Sequence, residues 1–143
     1  MVGSFSGEGL LRLPVTLHGI RLGQPVDLLL DAADRRALGL VVICGDQTHR
    51  FLPWAAVQPA EREIRLASSL MLLEDVDFYR TRADSFRELL GGVVRSHGTQ
   101  VGALRDLELE HDGTVARVLA VRDGVEQRLP AEGTSLSSER AAA

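Results

Sequence analysis

Residues 14–31 (PVTLHGIRLGQPVDLLLD) align without gaps with residues 93–110 (VVRSHGTQVGALRDLELE), 79 positions further along a chain of 143 residues. The matched positions carry turn glycines, acids and leucines: His18 with His97, Gly19 with Gly98, Gly23 with Gly102, Asp27 with Asp106, Leu28 with Leu107, Leu30 with Leu109 and Asp31 with Glu110. Such a match in register indicates one supersecondary unit that occurs twice. A solenoid needs at least about three repeats. The sequence therefore predicts two small pseudo-symmetric units packed as one compact body.

The composition is that of an ordinary globular protein, with 45% hydrophobic and 25% charged residues. All 16 basic residues are arginine, which excludes a Schiff-base lysine and the lysine of a phosphate-binding loop. The net charge of −4 disfavours binding to a nucleic acid backbone. Neither a secretion signal nor an apolar stretch of about 20 residues is visible. These features predict a soluble cytoplasmic protein without a membrane span, in which the single Cys44 is a reduced, buried thiol.

Strand signals dominate both repeats. Alternating or valine-rich runs, separated by turns such as Asp123-Gly124, predict strands over residues 26–31, 38–44, 48–52, 63–66, 100–110, 114–121 and 125–129. Alternation over residues 100–110 predicts that Asp106, Glu108 and Glu110 face solvent, opposite Leu107 and Leu109. The fold class is therefore mainly β, with antiparallel strands.

The segment between the repeats has a different pattern. Ser85 and Glu88 have the spacing of a capping box, and Gly91-Gly92 follows as a stop, so we predict a connecting helix of about two turns. Residues 70–73 (LMLL) fit either a strand or a helix. The tail from Thr134 has one large apolar residue and is expected to be frayed.

Both repeats resemble the PRC-barrel family, which includes the cytoplasmic barrel of the photosynthetic reaction centre H subunit and the C-terminal domain of a small-ribosomal-subunit maturation factor. The resemblance rests on a short strand, a glycine turn and Val-Gly-x3-Asp-hydrophobic-x-hydrophobic-acid, then a valine-rich strand and one ending in Leu-Pro. Residues 93–110 with Leu129-Pro130 carry this pattern. Residues 22–31 carry it too, with Leu52-Pro53-Trp54-x-x-Val57.

The resemblance implies two small antiparallel β-barrel units that serve as a non-catalytic interaction or assembly module. We divide the chain into a first repeat (10–67), a connector with the short helix (68–92), a second, shorter repeat (93–133) and a disordered tail (134–143). The partner would be an unknown protein, with a homodimer also possible. The alternative function is a ribosome- or RNA-associated maturation factor, which the acidic charge disfavours.

No residue pattern supports an enzyme. Asp27 and Asp31 in one repeat, like Asp106 and Glu110 in the other, lie four apart in a strand and are interpreted as a solvated row that protects the edge. Gly23 and Gly102 are interpreted as structural positions that allow a bulge or tight bend. The four histidines, His18, His49, His97 and His111, lack metal-ligand spacing, and Cys44 lacks a basic neighbour in the sequence. We expect no catalytic residue, no metal and no cofactor.

Two residues are candidates for a partner or inter-repeat contact. Leu29 occupies the outward position that Glu108 holds in the second repeat, so it predicts burial by the other repeat, a second chain or a partner. Trp54 is interpreted as a lid over the open end of the barrel or, alternatively, as an aromatic anchor for a partner.

The second repeat has little apolar sequence after Pro130, which predicts an open edge. Two segments without a counterpart in the repeat could cover that edge, residues 10–13 and residues 70–73. We expect one of them to complete the second barrel, within the chain or across a homodimer, with the intrachain case favoured.

Overall fold

A computed structural model of the protein describes residues 4–31, 33, 35–60 and 62–141 and is mainly β. The elements in chain order are β1 (Ser4–Ser6), α1 (Gly7–Leu11), β2 (Val15–Leu17), β3 (Ile20–Asp31), β4 (Ala37–Cys44), β5 (His49–Pro53), β6 (Ile64–Leu66), α2 (Val76–Arg80), β7 (Ala83–Ser85), α3 (Phe86–Leu89), β8 (Gly92–Ser96), β9 (Thr99–Glu110), β10 (Val115–Arg122), β11 (Val125–Pro130) and β12 (Thr134–Arg140). Single 3-10 turns occur at Trp54–Ala56 and Ser69–Met71. No helix in these ranges is long and apolar enough to cross a membrane.

The strands form two six-stranded sheets. The first sheet has the order β5-β4-β3-β2-β6, with β7 paired to β3. The second has the order β11-β10-β9-β8-β12, with β1 paired to β9. The predicted strands are present in these sheets. Among the described residues the end strands of neither sheet pair with each other, so closed barrels are not observed.

The two sheets exchange short arms. The N-terminal arm, β1 and α1, pairs with the second sheet, where Phe5 lies opposite Leu109. The middle arm, β7 and α3, pairs with the first sheet, where Asp84 lies opposite Leu30. Phe5 and Asp84 are 79 positions apart, and so are their partners Leu30 and Leu109. This is the offset of the sequence repeat. The repeat therefore includes the arms, and each arm crosses to the opposite half.

One extra residue interrupts each long strand directly before the repeated aspartate. Val26 in β3 and Arg105 in β9 have no opposite residue in β4 and β10. Such a bulge re-aims the side chains that follow it. The alternation expected for residues 100–110 therefore fails at Asp106, which is only 8% exposed instead of lying in a solvated row, whereas Leu107 and Leu109 are buried as expected.

Both halves share one apolar core. Leu28 and Leu40 of the first sheet belong to the same cluster as Leu107 and Val118 of the second, and all four are fully buried. Two backbone hydrogen bonds join the halves beside this core. The Ala37 N–H donates to the Gly113 carbonyl at 2.7 Å, and the Val115 N–H donates to the Arg35 carbonyl at 3.1 Å. The two repeats are therefore packed together, as expected from the sequence.

The structure corrects three expectations about the less regular segments. Residues 142 and 143 of the predicted tail lie outside the described part. The tail is not frayed over Thr134–Arg140, because this segment is β12 and pairs with β8. The connecting helix has one turn instead of two, since Gly91 takes a φ of +79° and the chain enters β8. Neither residues 10–13 nor residues 70–73 form the added strands of the second sheet, which are β12 and Ser4–Ser6.

Candidate functional site

The connector loop, defined here as residues 68–82, packs against the first sheet, and no described residue of the second half occupies the equivalent place on the second sheet. Its 3-10 turn, Ser69–Met71, is capped by Ser68, whose hydroxyl accepts from the Leu70 N–H at 3.1 Å. Asp75 caps α2 by accepting from the Phe78 N–H. Between these caps, Leu73 and Phe51 exchange two backbone hydrogen bonds of 2.8 Å, which attach the loop to the edge of β5. Short caps and one strand-like contact thus fix the loop.

A cleft of about 760 Å³ lies between the connector loop and the β4–β5 hairpin. The lining residues combine aliphatic, aromatic and charged side chains: Leu22, Cys44, Arg50, Ser69, Leu70, Leu72, Leu73, Glu74, Asp75 and Tyr79. Leu70 is 85% exposed, and Phe51, beneath the loop, stacks on Tyr79 with ring centroids 3.9 Å apart. The cleft therefore exposes apolar side chains above a packed pair of aromatic rings.

The charges at the cleft are arranged around Arg50. Its guanidinium lies 3.1 Å from the Asp46 carboxylate and 3.3 Å from that of Glu74. Hydrogen bonds from the Thr48 hydroxyl and N–H, with a smaller contribution from Arg50, lower the pKa of Asp46 to about 2. Asp46, Glu74 and Asp75 outnumber the single arginine, so the rim of the cleft is acidic.

The Cys44 thiol at the cleft is a poor nucleophile. Burial raises the pKa of the Cys44 thiol, and Arg50 opposes this only in part, so the thiol is protonated at neutral pH and is a weak nucleophile. In the described part of the chain, no group of three or more His, Cys, Asp and Glu residues is placed to hold a metal ion. What the geometry offers is contact area with a charged rim, which suits binding.

The repeated aspartates lie away from the cleft and accept hydrogen bonds from the arms. Asp106 accepts hydrogen bonds from the Ser6 hydroxyl at 2.6 Å and from the N–H groups of Glu8 and Leu107 at 3.1 and 2.7 Å. Asp27 likewise accepts hydrogen bonds from the Ser85 hydroxyl and from the backbone N–H groups of Arg87 and Leu28. Each aspartate therefore fastens the arm of the opposite half.

The repeated glycines stand where strands approach closely. A Cβ on Gly23 would lie 2.5 Å from the Ile43 carbonyl oxygen, and one on Gly102 would lie 2.6 Å from that of Val121. Gly102 also has a φ of +154°, which favours glycine. Beside each glycine the register with the preceding strand shifts by one residue.

The histidines are dispersed. His18 and His97 occupy equivalent turn positions with φ of +51° and +49°. The His111 ring meets the Phe5 ring edge to face, with centroids 4.8 Å apart. None of these three lines the cleft.

The two predicted contact residues are both buried within the chain. Leu29 is 1% exposed and packs with Val41, Phe51 and Val76. The connector loop, which contributes Val76, therefore covers Leu29, whereas the sequence predicted cover by the other repeat, a second chain or a partner. Trp54 lies in the shared core and donates its indole N–H to the His111 carbonyl at 2.9 Å, which joins the two halves.

Sequence reasoning missed the cleft itself, including Leu70, Tyr79 and Arg50. The available signal was the run at residues 70–73, which is apolar and has no counterpart in the second repeat. In comparisons with known proteins, no protein-family model matches this chain and no curated protein matches it significantly.

Proposed function

We propose that this protein is a non-catalytic interaction module of the PRC-barrel type and that it binds a partner protein in the connector cleft. The cleft carries the proposal, since it combines an open apolar surface with charged groups at its rim. Leu70, 85% exposed on its lip, is the kind of side chain that interfaces cover.

Two features support the PRC-barrel assignment. The glycine, aspartate and Leu-Pro positions that carry the resemblance lie at equivalent places in two sheets of matching order. Asp27 lies opposite Val41, which lies opposite Phe51, and Asp106, Leu119 and Arg128 repeat that row. A duplicated small β unit with a loop that differs between copies fits an assembly role, in which one copy carries the binding surface.

The chemistry of the cleft favours a particular partner segment. Its floor is apolar and its rim holds Glu74 and Asp75, with Arg50 already paired to carboxylates. A segment that inserts an apolar side chain and carries an arginine or lysine beside it would match both features. Acidic segments would meet like charge at the rim.

The test compares what two variants capture from a lysate of the source organism. Leu70→Ser removes the exposed apolar group at the cleft, and Ile20→Ser removes a similar group, 67% exposed, at the start of β3. We expect a protein that the wild type and Ile20→Ser retain but Leu70→Ser loses. If all three capture the same proteins in the same amounts, the cleft is not the binding surface.

The alternative role in RNA or ribosome maturation receives less support. Seven arginines already face carboxylates within 4 Å: Arg12, Arg36, Arg50, Arg65, Arg80, Arg105 and Arg128. Arginines neutralised in this way contribute little to phosphate binding. The net charge of −4 acts in the same direction.

A further inference from the structure

Within the described part of the chain the outer edge of β11 is unpaired, whereas the equivalent edge of the first sheet is covered. In the first sheet, the backbone N–H and C=O of Phe51 bond to Leu73 of the connector loop. Arg128 occupies the same place in the second sheet, since Phe51 lies opposite Val41 and Arg128 opposite Leu119. Among the described residues, no strand pairs with β11 on the side away from β10.

The hairpin geometry fixes which groups are free at this edge. The two-residue turn Asp123-Gly124 sets Arg122 and Val125 opposite each other as a hydrogen-bonded pair. Because hydrogen bonding alternates along an antiparallel pair, Gln127 and Leu129 also direct their backbone groups towards β10. Glu126 and Arg128 direct theirs outward.

We propose that the β11 edge pairs with the β11 edge of a second copy of this chain, antiparallel and centred on Gln127. This register places Glu126 opposite the partner's Arg128, and Arg128 opposite the partner's Glu126. Each such pair exchanges two backbone hydrogen bonds. The Arg128 guanidinium, which already contacts Glu108 of its own chain, would then also face the partner's Glu126, so that opposite charges come together. The contact is isologous, which closes it at a dimer.

The charge pattern selects this register and disfavours its neighbours. A shift of one hydrogen-bonded pair in either direction sets Glu126 against its own copy or Arg128 against its own copy. Like charges directly opposite each other destabilise a pair of strands. Charged edges usually prevent pairing altogether, but this alternation of sign permits one self-pairing only.

The apolar residues of β11 agree with the same register. Val125 is 62% exposed and lies opposite the partner's Leu129 when the pair is centred on Gln127. These two side chains would cover each other on the face opposite to Glu126 and Arg128. Pro130, which has no N–H to donate, lies beyond the last of these pairs.

The contact is small, so the dimer is expected to be weak. One short strand per copy buries less than the about 1,200 Å² of a stable interface. We expect a dissociation constant on the order of 0.1 mM. Sedimentation velocity over protein concentrations from about 10 µM to 1 mM spans that range.

The first test is a charge reversal with a matched control. Glu126→Arg sets arginine against the partner's Arg128 and is expected to weaken the dimer at least about tenfold, because cross-strand attraction becomes repulsion. Glu139→Arg makes the same change on β12, at the opposite end of the same sheet, and is expected to leave the dimer unchanged. Equal behaviour of the two variants would overturn the proposal.

Two further measurements separate pairing from misfolding. The triple variant Glu108→Arg, Glu126→Arg and Arg128→Glu reverses the order of the charges while keeping opposite charges at positions 108 and 128, and it is expected to regain the dimer. Hydrogen exchange at the Glu126 and Arg128 amides should slow as concentration rises, whereas Gln127, already bonded to β10, should not change. A wild-type chain that stays monomeric at about 1 mM contradicts self-pairing and leaves this edge to a strand of different chemistry.

Discussion

Asp46 and Thr48 show how single polar residues set the geometry of the cleft. The Asp46 carboxylate accepts from the Thr48 hydroxyl at 2.6 Å and from its N–H at 3.1 Å, which closes the turn before β5. The other carboxylate oxygen receives the Arg50 guanidinium at 3.1 Å. One side chain therefore holds the turn and orients Arg50, a cation that lines the cleft.

We expect the Asp46 carboxyl to titrate near pH 2 in the folded protein, below its usual 3.8. Because folding lowers this pKa, the carboxylate stabilises the fold fully above pH 3.8, and that stabilisation is lost as pH falls through about 2. Thr48→Ala removes the first cause of the shift and should raise the pKa towards 3.8, as followed by NMR of the carboxyl carbon. Thr48→Ser keeps the hydroxyl and serves as the control. An unchanged titration midpoint of Asp46 in Thr48→Ala would show that the Thr48 hydrogen bond does not lower its pKa.

At the scale of elements, the connector loop explains why the two repeats differ. Where the loop covers the first sheet, the row beneath it is apolar and includes Leu29, Val41 and Phe51. In the second sheet the same face carries Glu108 and Arg128, which form an exposed ion pair with a closest contact of 2.5 Å. The position covered by the connector loop holds Leu29, and the equivalent uncovered position in the second sheet holds Glu108.

Leu29→Glu should lower the free energy of unfolding by about 3 kcal/mol or more, since it removes apolar contacts and buries an unpaired charge under the connector loop. Glu108→Leu loses only an exposed ion pair, so its effect should stay below about 1 kcal/mol. Urea unfolding of both variants measures the difference. Small and equal changes would mean that the loop does not cover Leu29 in solution.

The sequence predicted the strands because alternation, valine content and the Asp-Gly turn are local signals. It did not predict the arm exchange, because pairing between Ser4–Ser6 and β9 depends on residues about a hundred positions apart. The bulge at Arg105 defeated the simple alternation, and so Asp106 was placed in solvent. Residues 70–73 were ambiguous since their contact, Phe51, is set by the fold and not by neighbours in the chain.

At the scale of the whole molecule, one core and two exchanged arms join the halves. Leucines from both sheets pack in a single cluster, and Trp54 of the first half donates to the second. Each aspartate clasp then adds a polar contact across the chain. We expect the two repeats to unfold together, because neither half buries its apolar face alone.

Asp106→Ala should lower the free energy of unfolding of the entire chain by about 3 kcal/mol, because a buried acceptor of three hydrogen bonds is lost. Urea transitions followed by Trp54 fluorescence and by far-ultraviolet circular dichroism should coincide and shift together. Glu139→Ala, on an exposed side chain, should change stability by less than about 0.5 kcal/mol. A fluorescence transition that stays in place while the dichroism shifts would show that the halves unfold independently.

The exchanged arms also impose an order on synthesis at the ribosome. The first sheet receives its arm, β7, soon after its own strands have been made, so it can be completed while the chain is still growing. The N-terminal arm is made about a hundred residues before its partner β9 is complete, because β9 ends at Glu110. Since translation adds about 5 to 20 residues each second, this arm waits several seconds without its partner strand and docks only after β9 has been made.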